Sequence, residues 1–347
     1  MASRPKFTAS DLRGMMAYPP TPAKENAGDP NARDTVDLDE TERMIRALIR
    51  DGADSIATNG TLGEMATLTL EEWKAFAATV AETVRSINPD FPLFIGATTL
   101  NTRDTIERMR YLRDLGVPGV LLGRPMWSEL TGPAMVRFYR DVAEACPELN
   151  ICVYDNTAAF RGVIPTSVYA ALTEIPQIVA VKYAGGAAIG FRYHNDLRAV
   201  QGKIRLFPIE CIWYFAYSLY GDEVPGCWST TATCGPEPVT YLRDALLGGR
   251  WAEARWVAER ILWAHEPFLV SRDFPEFARY NIQLERLRYN EAGYIKAGPS
   301  RPPYVLELLP EVHVADTLEH VRRWRQLRAE VRARSGAAEP GRVAAAS

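Results

Sequence analysis

The feature that most constrains this chain is an alternation: eight short apolar runs, each followed by a helical pattern. The runs are Leu12–Tyr18, Asp54–Asn59, Pro92–Ala97, Gly119–Gly123, Asn150–Tyr154, Ile178–Tyr183, Ile204–Pro208 and Val224–Ser229. They are rich in Val, Ile, Leu and aromatics, as strands covered on both faces must be. Between the second and third runs, Trp73, Phe76, Ala77, Val80, Ala81 and Val84 recur at the spacing of one helix face. Thr69-Leu70-Glu71-Glu72 reads as its capping box, and Asp37 opens the preceding helix in the same manner. Eight strands with intervening helices over about 240 residues predict a (β/α)8 barrel. A doubly wound open sheet is the competitor, but it usually carries a GxGxxG at an early strand–helix turn, and this chain has none.

The alternation stops after Gly249, so the expected organisation is a barrel over 1–249 and a helical C-terminal extension over 250–334. Helices are predicted at Trp251–Val270, Phe274–Ala292 and Thr317–Arg334, with Pro299–Pro303 as an irregular link. The small, polar residues 335–347 predict a disordered tail. Tyr18–Asp34, with four prolines and no periodicity, predicts a long loop after the first strand, on the rim where barrel active sites lie.

Composition narrows the function classes. A net charge of -3 argues against a nucleic-acid partner. No apolar run is long enough to span a membrane, and no apolar block follows Met1 as a secretory leader would require. Five cysteines without a CxxC pair predict a reducing, cytoplasmic setting. The four histidines are scattered and make no HExxH-type pair, so no metal is expected.

The chain has six lysines against 34 arginines, and one of the six, Lys182, ends an apolar strand. Desolvation there lowers an amine's pKa and frees it as a nucleophile toward a carbonyl. The plainer alternative is a lysine that snorkels to solvent. Tyr154 ends the fifth strand, where a phenol can relay protons or simply pack with its hydroxyl on the backbone. After the second strand, Asn59-Gly60-Thr61-Leu62-Gly63-Glu64 sets a Thr between two glycines. Its hydroxyl and N–H groups suit a carboxylate, and Glu64 reads as a structural group bonding loop amides. A barrel brings these strand ends to one face. An amine, a phenol and an anion loop together suggest Schiff-base chemistry on a 2-oxo acid.

GTLGE (Gly60–Glu64), Tyr154, and Lys182 followed by Gly186 resemble the pyruvate-dependent class I aldolases of the N-acetylneuraminate lyase and dihydrodipicolinate synthase superfamily. Asn59–Thr69, Gly123–Trp127, Cys234–Pro236, Tyr280–Ile282 and Lys296–Tyr304 are similar, more narrowly, to hydratase-aldolases of bacterial aromatic catabolism. Those enzymes act on trans-o-hydroxybenzylidenepyruvate or trans-2'-carboxybenzalpyruvate in naphthalene and phenanthrene breakdown. Leu62 replaces the second hydroxyl residue of the wider superfamily's motif, and Tyr154-Asp155-Asn156-Thr157 departs from its YNxP.

The resemblance implies that Lys182 forms the imine, Tyr154 shuttles protons, and Thr61 with adjacent amides, Gly60 among them, holds the pyruvoyl carboxylate. Phe160, Trp127 and Trp228 would suit an aryl group, though all three can equally be core, and Leu62 is a further substrate-binding candidate. Asn59, Asn156, Ser229 and Asn281 are further candidates for positioning water, the aldehyde oxygen and the ring. Arg124 or Arg161 could pair with a ring carboxylate, or sit in surface ion pairs. No cofactor is implied, the partner is a small 2-oxo acid, and a homotetramer is expected. The alternatives are another pyruvate lyase or synthase of the superfamily, and a non-catalytic barrel that binds oxo acids.

Overall fold

The computed structural model describes residues 6–183, 189–270 and 274–337. Eight parallel strands run β1 (Gly14–Ala17), β2 (Ser55–Ala57), β3 (Leu93–Gly96), β4 (Gly119–Leu122), β5 (Asn150–Asp155), β6 (Ile178–Tyr183), β7 (Arg205–Phe207) and β8 (Gly226–Ser229). Each lies inside or within a residue of its predicted run. Hydrogen-bonded ladders join them in the order β7-β6-β5-β4-β3-β2-β1-β8. The last gap closes through a parallel bridge between Ile209 and Trp228, with the Trp228 N–H donating to the Pro208 carbonyl at 2.9 Å. The result is the expected (β/α)8 barrel.

The outer ring consists of α1 (Leu38–Arg50), α2 (Leu70–Ile87), α3 (Thr102–Asp114), α4 (Gly132–Ala145), α5 (Thr166–Leu172), α6 (Phe191–Val200), α7 (Glu210–Tyr220) and α8 (Glu237–Leu247). The predicted caps form. The Asp37 carboxylate accepts from the Glu40 N–H at 3.0 Å, and Thr69 and Glu72 close a reciprocal box around the start of α2. Each satisfies backbone donors that the helix itself leaves open.

Past the barrel come α9 (Trp251–His265), a π-helical turn over Glu266–Val270, α10 (Phe274–Ala292) and α11 (Glu311–Ala337). The last starts six residues earlier than its predicted Thr317 and runs three past Arg334. The remainder of the expected tail, 338–347, lies outside the described residues. The loop after β1 is not free chain. Its Ala23 bridges Val36, and the Ala23 N–H donates to the Ala297 carbonyl at 2.9 Å, so the C-terminal extension pins it.

Two cores follow from strand parity, since successive side chains point to opposite faces. Met15, Ile95, Val120, Val153 and Val181 face outward and pack under the helices. Met16, Phe94, Leu121, Cys152, Tyr154, Ala180, Phe207 and Trp228 face inward and fill the barrel. The same parity puts the side chain of Lys182, two residues after Ala180, on the barrel's inside.

Candidate active site

Register brings the amine and the phenol together. Ile151 pairs with Ile178, but the ladder slips by one residue before Cys152, which pairs with Ala180. Tyr154 therefore lies directly opposite Lys182. Without that bulge Tyr154 would face Val181, an outward position, and the pair would be split.

Lys182 is 5% exposed. Its Nζ sits 3.4 Å from the centroid of the Trp228 ring, 4.8 Å from that of Tyr154 and 5.2 Å from that of Tyr18. Among the described residues no carboxylate comes within ion-pair distance of it. Burial pulls its pKa from 10.5 down to about 7, and the charges of Cys152, Glu285, Glu210 and Asp155 only partly oppose this. A large share of the side chain is thus free amine near neutral pH.

The Tyr154 hydroxyl bonds Thr61 Oγ1 at 2.8 Å and accepts from Asn156 Nδ2 at 2.9 Å. The carboxamide cannot turn round, because Asn156 Oδ1 accepts from the Ala158 and Ala159 N–H groups at 3.0 and 3.2 Å. Burial raises the phenol pKa, while the bonds from Thr61 and Asn156 pull the other way. The hydroxyl therefore rests protonated with a relay partner on each side. Gly60 lies against the Tyr154 ring, and Phe160 meets that ring edge-on at 5.2 Å. Phe160 can sit there only because residue 123 is glycine: a Cβ on Gly123 would fall 2.0 Å from the Phe160 ring.

These groups open onto a cavity of about 1290 Å³ at the C-terminal ends of the strands. Thr61, Leu62, Tyr154, Asn156, Phe160, Lys182, Trp228 and Asn281 all line it. Leu68, Met126, Ile209, Phe277 and Ile282 supply much of its apolar wall, and α10 forms one side.

Other candidates lie elsewhere. Trp127 is 79% exposed and turned away from the cavity, because its neighbour Met126 takes the inward position. Ser229 is fully buried and does not line the cavity; its Oγ accepts from the Ala232 N–H at 3.0 Å. Asn59 adopts a left-handed φ of 51° and is spent on the loop, bonding Thr58 and Thr21. Arg124 lies buried beside Asp155 at 3.7 Å and donates to the Gly162 carbonyl, while Arg161 donates to the Met126 carbonyl at 3.1 Å. Neither lines the cavity. Gly186 lies outside the described residues.

Glu64 is structural, as expected, but its partners are chiefly arginines. It is fully buried; Oε1 accepts from the Arg301 N–H at 3.0 Å, and Oε2 takes the guanidinium groups of Arg286 and Arg301. This clamp ties the anion loop to the C-terminal extension.

Sequence reasoning missed Tyr18, Thr230, Glu285 and Arg288. Tyr18 reads as the start of a loop. The other three gather where α10 crosses the mouth, and the one available signal was the i, i+4, i+7 spacing of Asn281, Glu285 and Arg288. Among the described residues no three His, Cys, Asp or Glu come together as a metal site. None of the helices there is long and apolar enough to cross a membrane.

Comparison with known proteins finds similarity along most of the chain. The model of the dihydrodipicolinate synthetase family matches residues 27–284. The chain is 44% identical over 324 residues to the trans-2'-carboxybenzalpyruvate hydratase-aldolase of Nocardioides sp. (strain KP7), covering 93% of this chain and 96% of that one. It is 39% identical over 329 residues to the trans-O-hydroxybenzylidenepyruvate hydratase-aldolase of Pseudomonas aeruginosa, covering 94% and 96%. A solved structure described as PhdJ bound to substrate intermediate superimposes with a TM-score of 0.90 at 42% identity, over 94% of this chain and 99% of that one. Dihydrodipicolinate synthase from Thermotoga maritima, at 20% identity and a TM-score of 0.75 over 91% and 99%, shares the fold.

Proposed function

The chain belongs to the dihydrodipicolinate synthetase family, and we propose that within it the protein is a class I hydratase-aldolase. It converts a trans-arylidenepyruvate and water to an aromatic aldehyde and pyruvate, in the breakdown of polycyclic aromatic hydrocarbons such as naphthalene or phenanthrene. The observation that carries this reading is the buried Lys182 amine, without an ion-pair partner among the described residues and set opposite a phenol with its own relay partners.

Lys182 Nζ attacks the 2-oxo carbon, and loss of water leaves a protonated imine conjugated to the C=C bond. Water adds at the carbon that bears the aryl group. Tyr154 then takes the proton of the new hydroxyl, the C–C bond breaks, and the aldehyde leaves an enamine behind. Protonation and hydrolysis release pyruvate and regenerate the amine. Thr61 and adjacent amides hold the pyruvoyl carboxylate. Asn156 aims the phenol, and Trp228 and Tyr18 keep water from the amine. Leu62, Phe160 and Met126 face the ring. The cavity exceeds the roughly 300–1,000 Å³ of common small-molecule sites, which leaves room for a fused aryl group. We place the enzyme in the cytoplasm as a homotetramer, which light scattering on the purified protein tests.

Incubation with pyruvate and borohydride is the direct experiment. It should add the mass of a reduced pyruvate imine to a peptide containing Lys182. Absence of that adduct would sink the Schiff-base reading.

A further inference from the structure

Hydration requires a group that accepts a proton from water beside the aryl-bearing carbon. That carbon lies two bonds beyond the imine carbon, away from the carboxylate end held at Thr61. The structure places a buried carboxyl in the cavity wall that α10 forms, beside Thr230 at the end of β8. Asn281, Glu285 and Arg288 lie on one face of α10, and all three line the cavity. Glu285 is 4% exposed, and its electrostatic influence reaches the Lys182 amine.

Its Oε2 takes the guanidinium of Arg288, which also donates to Thr230 Oγ1 at 2.7 Å. That pair fixes the carboxyl in place and occupies only part of its four lone-pair sites. One turn earlier on the helix, Asn281 Oδ1 is buried with no hydrogen-bond partner among the described residues. Buried polar atoms are normally hydrogen-bonded, so such an acceptor beside a carboxyl suits the O–H of a water.

We propose that Glu285, with Asn281 beside it, binds the hydrating water and takes its proton; this rests on the hydratase-aldolase reading above. One water O–H bond breaks and its proton passes to the Glu285 carboxylate. The oxygen's electron pair forms the new C–O bond at the aryl-bearing carbon, and the C=C pair moves toward the protonated imine to give an enamine. A proton then returns to the carbon next to the imine, restoring it and leaving the hydrated aldol. Tyr154 acts only afterwards, on the new hydroxyl. Burial pushes the Glu285 carboxyl above the usual carboxylate range, with Arg288 opposing, and this brings it nearer to a working base at neutral pH.

The test separates the two halves of the reaction. Glu285→Gln keeps an acceptor for Arg288 but cannot take a proton. Benzaldehyde release is followed from trans-benzylidenepyruvate, which must be hydrated, and from 4-hydroxy-4-phenyl-2-oxobutanoate, which is already hydrated. The expected result is a fall of about 100-fold or more in kcat/KM on the first substrate, with the second, and borohydride trapping of pyruvate, changed only a few-fold. An equal fall on both substrates, or none on either, overturns the proposal. Loss of trapping in the unsubstituted protein would instead overturn the Schiff-base reading. If Glu285→Gln does not fold, the double variant Glu285→Gln/Arg288→Met removes the orphaned charge, and the same two substrates decide.

Discussion

Two of the buried cationic centres near the mouth of this barrel are built in opposite ways. Arg286 and Arg301 are buried against Glu64, which pairs with both guanidiniums and holds the C-terminal extension to the anion loop. Lys182 is buried among the rings of Trp228, Tyr154 and Tyr18 with no carboxylate in ion-pair reach among the described residues. Burial costs a charge dearly unless it is paired. A guanidinium cannot lose its proton at ordinary pH, so it must be paired. An ammonium can, and an unpaired one does. The first centre is therefore a clamp, and the second is the nucleophile in the reaction proposed above.

The contrast is broken most directly by putting the wrong cation in the second centre. Lys182→Arg can neither lose its proton nor form an imine, so aldehyde release should fall to background and borohydride trapping should vanish. Residual turnover above background in a coupled pyruvate assay would show that another group does the chemistry. Next in size is Tyr154→Phe, which removes the relay but leaves the amine. Turnover should drop by about 10²–10⁴-fold, while the pyruvate adduct on Lys182 still forms. Loss of the adduct as well would mean that the phenol is needed for imine formation itself.

The clamp is tested by Glu64→Gln, which leaves two buried guanidiniums short of a counter-charge. Unfolding in urea should show a loss of about 3–5 kcal/mol. A change within error would mean that water already solvates these arginines. The converse holds at the amine: Lys182→Met, although inactive, should be more stable than the parent at pH 7, by about 3 kcal/mol.

The smallest effect is its pH dependence. The folded pKa of about 7 lies below the ordinary 10.5, so between those values the unfolded chain binds more protons than the folded one. Lys182 therefore destabilises fully below pH 7, and the penalty fades as pH rises toward 10.5. The stability gap between Lys182→Met and the parent should shrink over that window. The rate of imine formation should fall as pH drops below 7, because the free amine is the reactive form. A gap independent of pH would show that the amine is paired and charged in the folded protein.

Much of this was legible in the chain. The eight strands were, because buried parallel strands are short, apolar and separated by helical periods. Lys182 and Tyr154 stood out because a polar group at the end of such a strand is costly without a purpose. Trp127 misled because an aromatic beside a strand end does not say which way it turns, and the structure gives the inward place to Met126. Ser229 and Asn59 misled similarly: both are polar groups at strand ends, but backbone and loop partners already use them. Gly60 also lies against the phenol ring, a contact that its sequence context did not show.

The sequence by itself determined the barrel, the lone strand-end amine, the phenol at the end of the preceding strand and the anion loop after the second, since period, polarity and covalent order are local properties. Tertiary structure decided the rest. The slip between Ile151 and Cys152 sets Tyr154 opposite Lys182, and register between strands is a non-local choice that neither strand encodes alone. The crossing of α10 over the mouth turns Asn281 and Glu285 into the cavity, and its position depends on the Glu64 clamp, whose partners are more than two hundred residues apart in the chain.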